Sequence, residues 1–300
     1  MRALVEQVRR FADIDSNVLI SGETGTGKNA VARELHARGP RARRPFVVVD
    51  CAALPSTLID SELFGHERGA FTDAVAARPG RFELASNGTV YLDAVTELSI
   101  EVQGKLLRIV EEKRVERLGG QTSLAVAARV VASADSRVED AVREGRFRGD
   151  LFHRIGVLPI RIPPLRERPE DVAPLAKHFL RRAAAAAGRK PPSMAVDALG
   201  ALRDYMWPGN VRELKHVIER AVAACDGDTV TLRHLPAGIL DGPALKPDDV
   251  AGRRPTLEEV ERRYIAATLQ HARGNQTRAA ELLGISRKAL WEKRKRYGLD

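Results

Sequence analysis

Short apolar runs alternate with stretches of helical spacing through the first half of the chain. Residues 18–21 form such a run and meet a glycine-rich turn, and residues 30–35 then follow a helical pattern, so the segment reads as strand, loop and helix. Residues 46–49 and 89–92 have the length and β-branched content of buried parallel strands, and residues 126–132 and 157–162 read the same way. Between them, residues 100–112 set Val102, Leu106, Leu107 and Val110 on one helical face. This alternation predicts a doubly wound α/β layer with a parallel sheet and helices on both faces, ending near Arg168. Past Pro163-Pro164 the strand signal stops, and residues 170–235 read as helices only. Residues 236–255 hold four prolines and three glycines and read as a linker. Thr256-Leu-Glu-Glu259 then has the form of a capping box that opens another helix.

Composition adds a partner class. At 300 residues, 44% hydrophobic and 30% charged, the chain exceeds what one core usually occupies. The last fifty residues carry twelve basic against six acidic groups, six of the nine net positive charges, which points to a polyanion near the C-terminus. Cys51 and Cys225 have no metal or redox spacing and fit a reducing compartment. Neither a ~20-residue apolar span nor a signal pattern is present, so the expectation is a cytoplasmic protein without membrane contact.

The strongest chemical signal is Gly22-Glu23-Thr24-Gly25-Thr26-Gly27-Lys28 between the first strand and its helix. Backbone N–H groups and a helix N-terminus there surround the phosphates of a nucleotide, and Lys28 reaches the outer ones. Asn29 stands where a Ser or Thr would hold Mg²⁺. Asp93, closing the run 89–92, suits the second acidic partner of that metal. A nucleotide and Mg²⁺ are therefore the expected cofactors.

At the far end, residues 275–283 form a short helix with Ala279, Ala280 and Leu283 on one face. Gly284-Ile285-Ser286 makes a tight turn, Ser286 caps the next helix, and residues 287–297 carry the basic side chains. Arg287 and Lys288 occupy the turn of a recognition helix that touches base edges, whereas Lys293, Arg294, Lys295 and Arg296 suit phosphates. Double-stranded DNA, read as an inverted repeat by a dimer, is the expected partner.

Together these motifs resemble one family, the sigma-54-dependent transcriptional activators of the AAA+ class, whose DNA-binding end is a Fis-type helix-turn-helix. The resemblance is carried by GETGTGK at 22–28, SELFGHERGAFT at 61–72, GRFRGDLFHRI at 145–155, PPLRER at 163–168 and WPGNVREL at 207–214. It implies an AAA+ subdomain over residues 1–168, a helical lid over 169–235, the linker 236–255, and a helix-turn-helix domain over 256–300. It further implies a homo-oligomer, a hexameric ring, that closes ATP between subunits and remodels sigma-54 RNA polymerase. Arg148 and Arg154 match the arginine fingers given in trans to a neighbour's nucleotide. Arg212 matches the arginine that reaches the nucleotide in cis from the lid. Gly69, Ala70, Phe71 and Thr72 match the start of the loop that contacts the sigma factor. The family's amino-terminal regulatory domain is expected to be absent.

Several positions depart from the family pattern. Asp73 replaces a glycine of the sigma-factor loop and is expected to weaken that contact. Ala94 replaces the glutamate that polarises the attacking water, Asp50 an asparagine that holds that glutamate, and Ala134-Asp135 a γ-phosphate-sensing Thr-Asn pair. ATP binding is expected and hydrolysis is doubtful. Three functions stay open: a sigma-54 activator with residual ATPase, a nucleotide-gated DNA-binding regulator that does no remodelling, and an inactive partner subunit in a mixed ring.

Overall fold

In the computed structural model, residues 2–72, 74–240, 256–272 and 275–299 are described. The chain divides into two compact units, Met1–Pro243 and Ala244–Asp300.

The first unit is built on five parallel strands, β1 (Val18–Ser21), β2 (Phe46–Asp50), β3 (Thr89–Asp93), β4 (Arg129–Ala134) and β5 (Leu158–Arg161), in the order β2-β3-β4-β1-β5. Alternate residues point to opposite faces. Val18, Ile20, Tyr91, Val131 and Ile160 meet Leu4, Val8 and Ala12 of helix α1 (Arg2–Ala12) and Ala32 and Leu35 of α2 (Lys28–Arg38). Leu19, Val90, Leu92, Val130 and Ala132 meet Val102, Leu106 and Ile109 of α3 (Ile100–Glu112) and Leu151 and Ile155 of α4 (Gly149–Ile155). Both faces are covered, so the strands read as unbroken apolar runs.

The fourth strand starts three residues later than the apolar run 126–132 predicts and extends to Ala134. Val126 instead donates its N–H to the Lys113 carbonyl, after an antiparallel hairpin of Arg114–Glu116 with Ser123–Ala125. The strand opens on Arg129, a buried guanidinium that donates to the carbonyls of Phe11, Ala12 and Ser16 at 2.7, 3.2 and 2.9 Å. A cation on the carbonyl end of α1 satisfies the helix and its own burial together.

Helices α5 (Val172–Ala186), α6 (Val196–Asp204) and α7 (Asn210–Ala224) enclose a separate core around Trp207, whose indole N–H donates to the Leu202 carbonyl at 2.8 Å. Two features differ from the helices-only expectation. Ser193–Met194 pairs in parallel with Thr229–Val230, a ladder too short to leave a periodic signal. Ala237–Leu240, assigned to the linker by its glycine and proline content, forms a helical turn that buries Ile239 in this core. The remainder of the expected linker, 241–255, lies outside the described residues.

The second unit contains α8 (Leu257–His271), α9 (Gln276–Leu282) and α10 (Arg287–Tyr297). Thr256 and Glu259 exchange the two bonds of a capping box, at 2.9 and 3.2 Å. Asn275 and Ser286 cap the next two helices, and Gly284, at φ 65, makes the turn between them. Ile265, Ala279, Ala280 and Leu290 form the buried centre.

Candidate functional site

In a parallel sheet, ligands bind beyond the carboxyl ends of the strands. At that edge β1 ends on Ser21 opposite Ala134, and β2 ends on Asp50 opposite Asp93. The loop 22–27 leaves β1 there. Because α2 begins at Lys28, its unpaired N–H groups face the loop. Gly25, Gly27, Lys28, Asn29, Asp93 and Arg212 all line one cleft of about 840 Å³, together with Asp50, Ala94, Glu97, Ala134 and Asp135.

Lys28 donates to the carbonyls of Gly22 and Glu23 at 2.7 and 3.2 Å. Burial pulls its pKa down, with Asp93 and Asp135 pulling the other way. Asp93 is held by two hydroxyls on the same oxygen, Ser133 at 2.5 Å and Tyr91 at 3.0 Å, and the Ala94 N–H donates to Ser133 at 2.9 Å. Tyr91 and Ser133 escaped the sequence reading: Tyr91 reaches Asp93 from two residues earlier on the same strand, and Ser133 reaches it from the paired strand. Below this edge Cys51 is buried, and burial with the charges of Asp50, Asp93 and Glu97 pushes its thiol up to about 12, so it is no nucleophile.

Thr24 lines the cleft with the rest of the loop, and Glu23 and Thr24 also tie the loop to the lid. The Glu23 carboxylate turns to the lid and takes Arg166 at 2.6 and 2.8 Å and Asn210 at 3.1 Å; the bond from Arg166 holds its pKa below the usual glutamate range. Asn210 also donates to the Thr24 carbonyl at 3.1 Å and accepts the Leu165 N–H at 2.8 Å. Arg168 donates to the Thr26 carbonyl at 3.0 Å and the Arg212 N–H to that of Gly25 at 3.2 Å. Gly25, at φ 81, cannot be another residue, since a Cβ would collide with the Gly209 carbonyl. Residues 165–168 and 209–212 therefore grip the phosphate loop directly. Arg166 and Asn210 sit inside the motifs PPLRER and WPGNVREL, which was the available signal for them.

Asn210 is wholly buried with φ 52. Asn210→Ala is expected to destabilise the first unit by about 2–4 kcal/mol, from orphaned buried partners plus the left-handed backbone. Asn210→Gly should recover only the backbone part. Urea unfolding of the three proteins measures both, and an alanine variant as stable as the native chain would contradict the grip.

Arg148 and Arg154 bracket α4 and do not line the cleft of their own subunit. Arg148 forms a two-point ion pair with Asp150 at 2.7 and 3.0 Å, which holds the Asp150 carboxyl down at about 2, and Arg154 is exposed. Arg212 is not drawn away by its acidic neighbours: Glu213 bonds Tyr205 and the Gly209 N–H, and Glu219 faces Lys215. In the loop 69–72, Gly69 has φ 82, and Phe71 lies edge-on against His66 with ring centres 4.9 Å apart, still 39% exposed. Ala70 and Thr72 flank it, and Asp73 lies outside the described residues.

On α10, Arg287, Lys288 and Lys295 are exposed. Of the cations expected on phosphates, the half-buried Lys293 and Arg294 make ties within the domain, to Glu261 at 2.5 Å and to the Leu299 carbonyl at 2.9 Å, whereas Arg296 stays exposed in a surface pair with Glu258 at 3.1 Å.

A glycine-rich loop, a parallel sheet edge and a helical lid around one cleft define a P-loop nucleotide-binding unit, joined in one chain to a capped helix-turn-helix. Comparison with known proteins agrees segment by segment. Residues 1–161 match the sigma-54 interaction domain, 166–250 the AAA+ ATPase lid domain, and 256–297 the bacterial regulatory protein, Fis family. The chain is 44% identical over 293 residues to the transcriptional regulatory protein ZraR of Klebsiella oxytoca, covering 98% of this chain and 66% of that one. It is 43% identical over 307 residues to the regulatory protein AtoC of Escherichia coli (strain K12), covering 100% and 66%. The crystal structure of NtrX from Brucella abortus in complex with ATP superposes with a TM-score of 0.78 at 35% identity, covering 99% of this chain and 68% of that one. The chain belongs to the sigma-54 interaction domain family, and it spans just under two thirds of the length of the first two relatives. Among the described residues, no helix is long and apolar enough to cross a membrane.

Proposed function

We propose that this chain is a sigma-54-dependent transcription regulator: it binds MgATP in the cleft between sheet edge and lid, assembles into a hexameric ring, and docks on DNA through residues 256–300. The observation that carries the reading is the division of the arginines. Arg212 enters the cleft with Gly25, Gly27, Lys28 and Asp93, while Arg148 and Arg154 stay outside it, as arginines given to a neighbouring subunit's nucleotide would. A guanidinium supplied in trans neutralises phosphate charge and makes assembly depend on nucleotide. Glu23, Thr24 and Thr26 support this site by fixing the loop to the lid. Gly69, Ala70, Phe71 and Thr72 form the surface offered to sigma-54, with the half-exposed Phe71 as its apolar tip.

Mg²⁺ fits the donors present, since it is held by one or two carboxylates plus phosphate oxygens and water rather than by a protein cage. Asp93, with one oxygen fixed by Tyr91 and Ser133, and the Asn29 carboxamide would hold it, and it would neutralise charge on the outer phosphates.

Sedimentation of the chain with sigma-54 tests the reading. MgATP is expected to produce a larger species that contains sigma-54, and Arg148→Ala or Arg154→Ala to prevent it while leaving a folded monomer. Identical sedimentation with and without MgATP would overturn the ring. One observation favours a second reading, a nucleotide-gated regulator or a partner subunit in a mixed ring: Ala94 leaves the nucleotide contacts in place and removes the base.

A further inference from the structure

We propose that Trp291 reads thymine, by laying its indole against 5-methyl groups in the major groove. The inference deepens the DNA-binding reading of the C-terminal unit and rests on it. At about 100° per residue, α10 has two faces of opposite character. Leu290 is buried, while Lys293 and Tyr297 turn inward to Glu261 of α8, each at 2.5 Å. Arg287, Lys288, Trp291 and Lys295 fall within an arc of about 100° on the other side, with Trp291 near its middle.

Trp291 is 55% exposed, although a tryptophan in the middle of a helix is the residue with the most apolar surface to hide. Among the described residues its ring contact is with Lys295, whose ammonium stands 5.4 Å from the indole centre. An apolar centre rimmed by Arg287, Lys288 and Lys295 is complementary to a surface with anions at its margins and an apolar group between them. The major groove of duplex DNA has this arrangement, with phosphates along its walls and the thymine methyl on its floor. The helix is pre-formed for that contact, since Ser286 caps its first turn and Glu261 and Glu258 fix its rotation through Lys293, Tyr297 and Arg296.

An apolar contact and a phosphate contact leave different signatures. Removing a phosphate-bound cation lowers the salt dependence of binding, whereas removing an apolar contact changes affinity at every salt concentration alike.

The experiment uses the full chain and duplexes recovered by selection from a random-sequence pool. Each thymine is replaced in turn by uracil, which removes only the methyl group. The native chain is expected to lose roughly four-fold in affinity per contacted methyl at one or two positions. Trp291→Ala should bind the thymine duplex more weakly, be indifferent to uracil at those positions, and keep the native salt slope. Lys295→Ala, which removes a cation assigned to phosphate, should keep the uracil sensitivity and lose about one unit of slope. Trp291→Phe should recover part of the thymine preference. Equal uracil sensitivity in the native chain and Trp291→Ala, or none in the native chain, would overturn the assignment. A shift in DNA-free self-association on Trp291→Ala, with no loss of thymine preference, would instead give the indole to subunit pairing. A native chain that recovers no duplex removes the DNA reading itself, and the inference with it.

Discussion

Restoring glutamate at position 94 is expected to raise ATP turnover, while the native chain binds MgATP with ordinary affinity and releases phosphate slowly. Binding draws on the loop N–H groups, Lys28, Asp93 and Arg212, and all of these line the cleft. Hydrolysis also needs a base on the attacking water, a contribution of ~10²–10⁴ in rate, and the Ala94 methyl has no proton acceptor. The cleft has gained carboxylates elsewhere, but both are committed to local turns. Asp50 accepts the N–H groups of Ala52 and Ala53 at 3.1 Å each, and Asp135 accepts from Ser136 at 3.3 Å and from the Arg137 N–H at 3.1 Å. Ala94 has a left-handed backbone (φ 57) whose N–H is fixed by Ser133, so a glutamate there would inherit a defined direction. The gain on Ala94→Glu should fall short of the full factor, because Asp50, Ala134 and Asp135 still differ from the arrangement that normally holds the glutamate. Steady-state phosphate release at saturating MgATP, at a concentration where rings form, measures it. Fast release by the native chain that disappears on Glu97→Gln would refute this account, because Glu97 borders the same cleft from the Val95–Glu97 turn and would then be the base.

Duplex DNA binding by the full chain should fall steeply with salt, and a chain ending at Pro243 should lose it. The structure adjusts the size of the effect. With Lys293 and Arg294 tied within the domain, Lys295 and Arg296 remain exposed for phosphates beside Arg287 and Lys288 at the base edges, which gives two phosphate cations per subunit and four in a dimer. Four phosphates neutralised correspond to a slope of about −4 in log affinity against log salt, or ~10² in affinity between 50 and 200 mM. Filter binding across that range, on the full chain and on the truncated one, provides the measurement. A slope near zero, or equal affinity without residues 244–300, would place DNA binding elsewhere. A dimer should also prefer an inverted repeat with half-sites about 34 Å apart, so equal affinity for a single half-site would exclude the paired arrangement.

Much of this protein was legible in its sequence because the relevant physics is local. Buried parallel strands must be apolar throughout, so residues 18–21, 46–49 and 89–92 declared themselves. A phosphate loop needs its glycines and lysine at fixed spacing, and caps such as Thr256 with Glu259, or Ser286, are complete within four residues. The family motifs pointed to the lid for the same reason. What the sequence could not supply were partnerships made across long separations. Arg129 opens a core strand because the carbonyl end of α1, more than a hundred residues earlier, receives its charge. The Glu23 carboxylate ties the phosphate loop to the lid because Arg166 and Asn210 fold back onto it. Two basic residues of α10, Lys293 and Arg294, are engaged within the domain because Glu261 and the Leu299 carbonyl meet them. Charge and polarity can be read from a sequence, but the partner that satisfies each group is chosen only when the chain closes on itself, and that choice decides which groups remain free to bind.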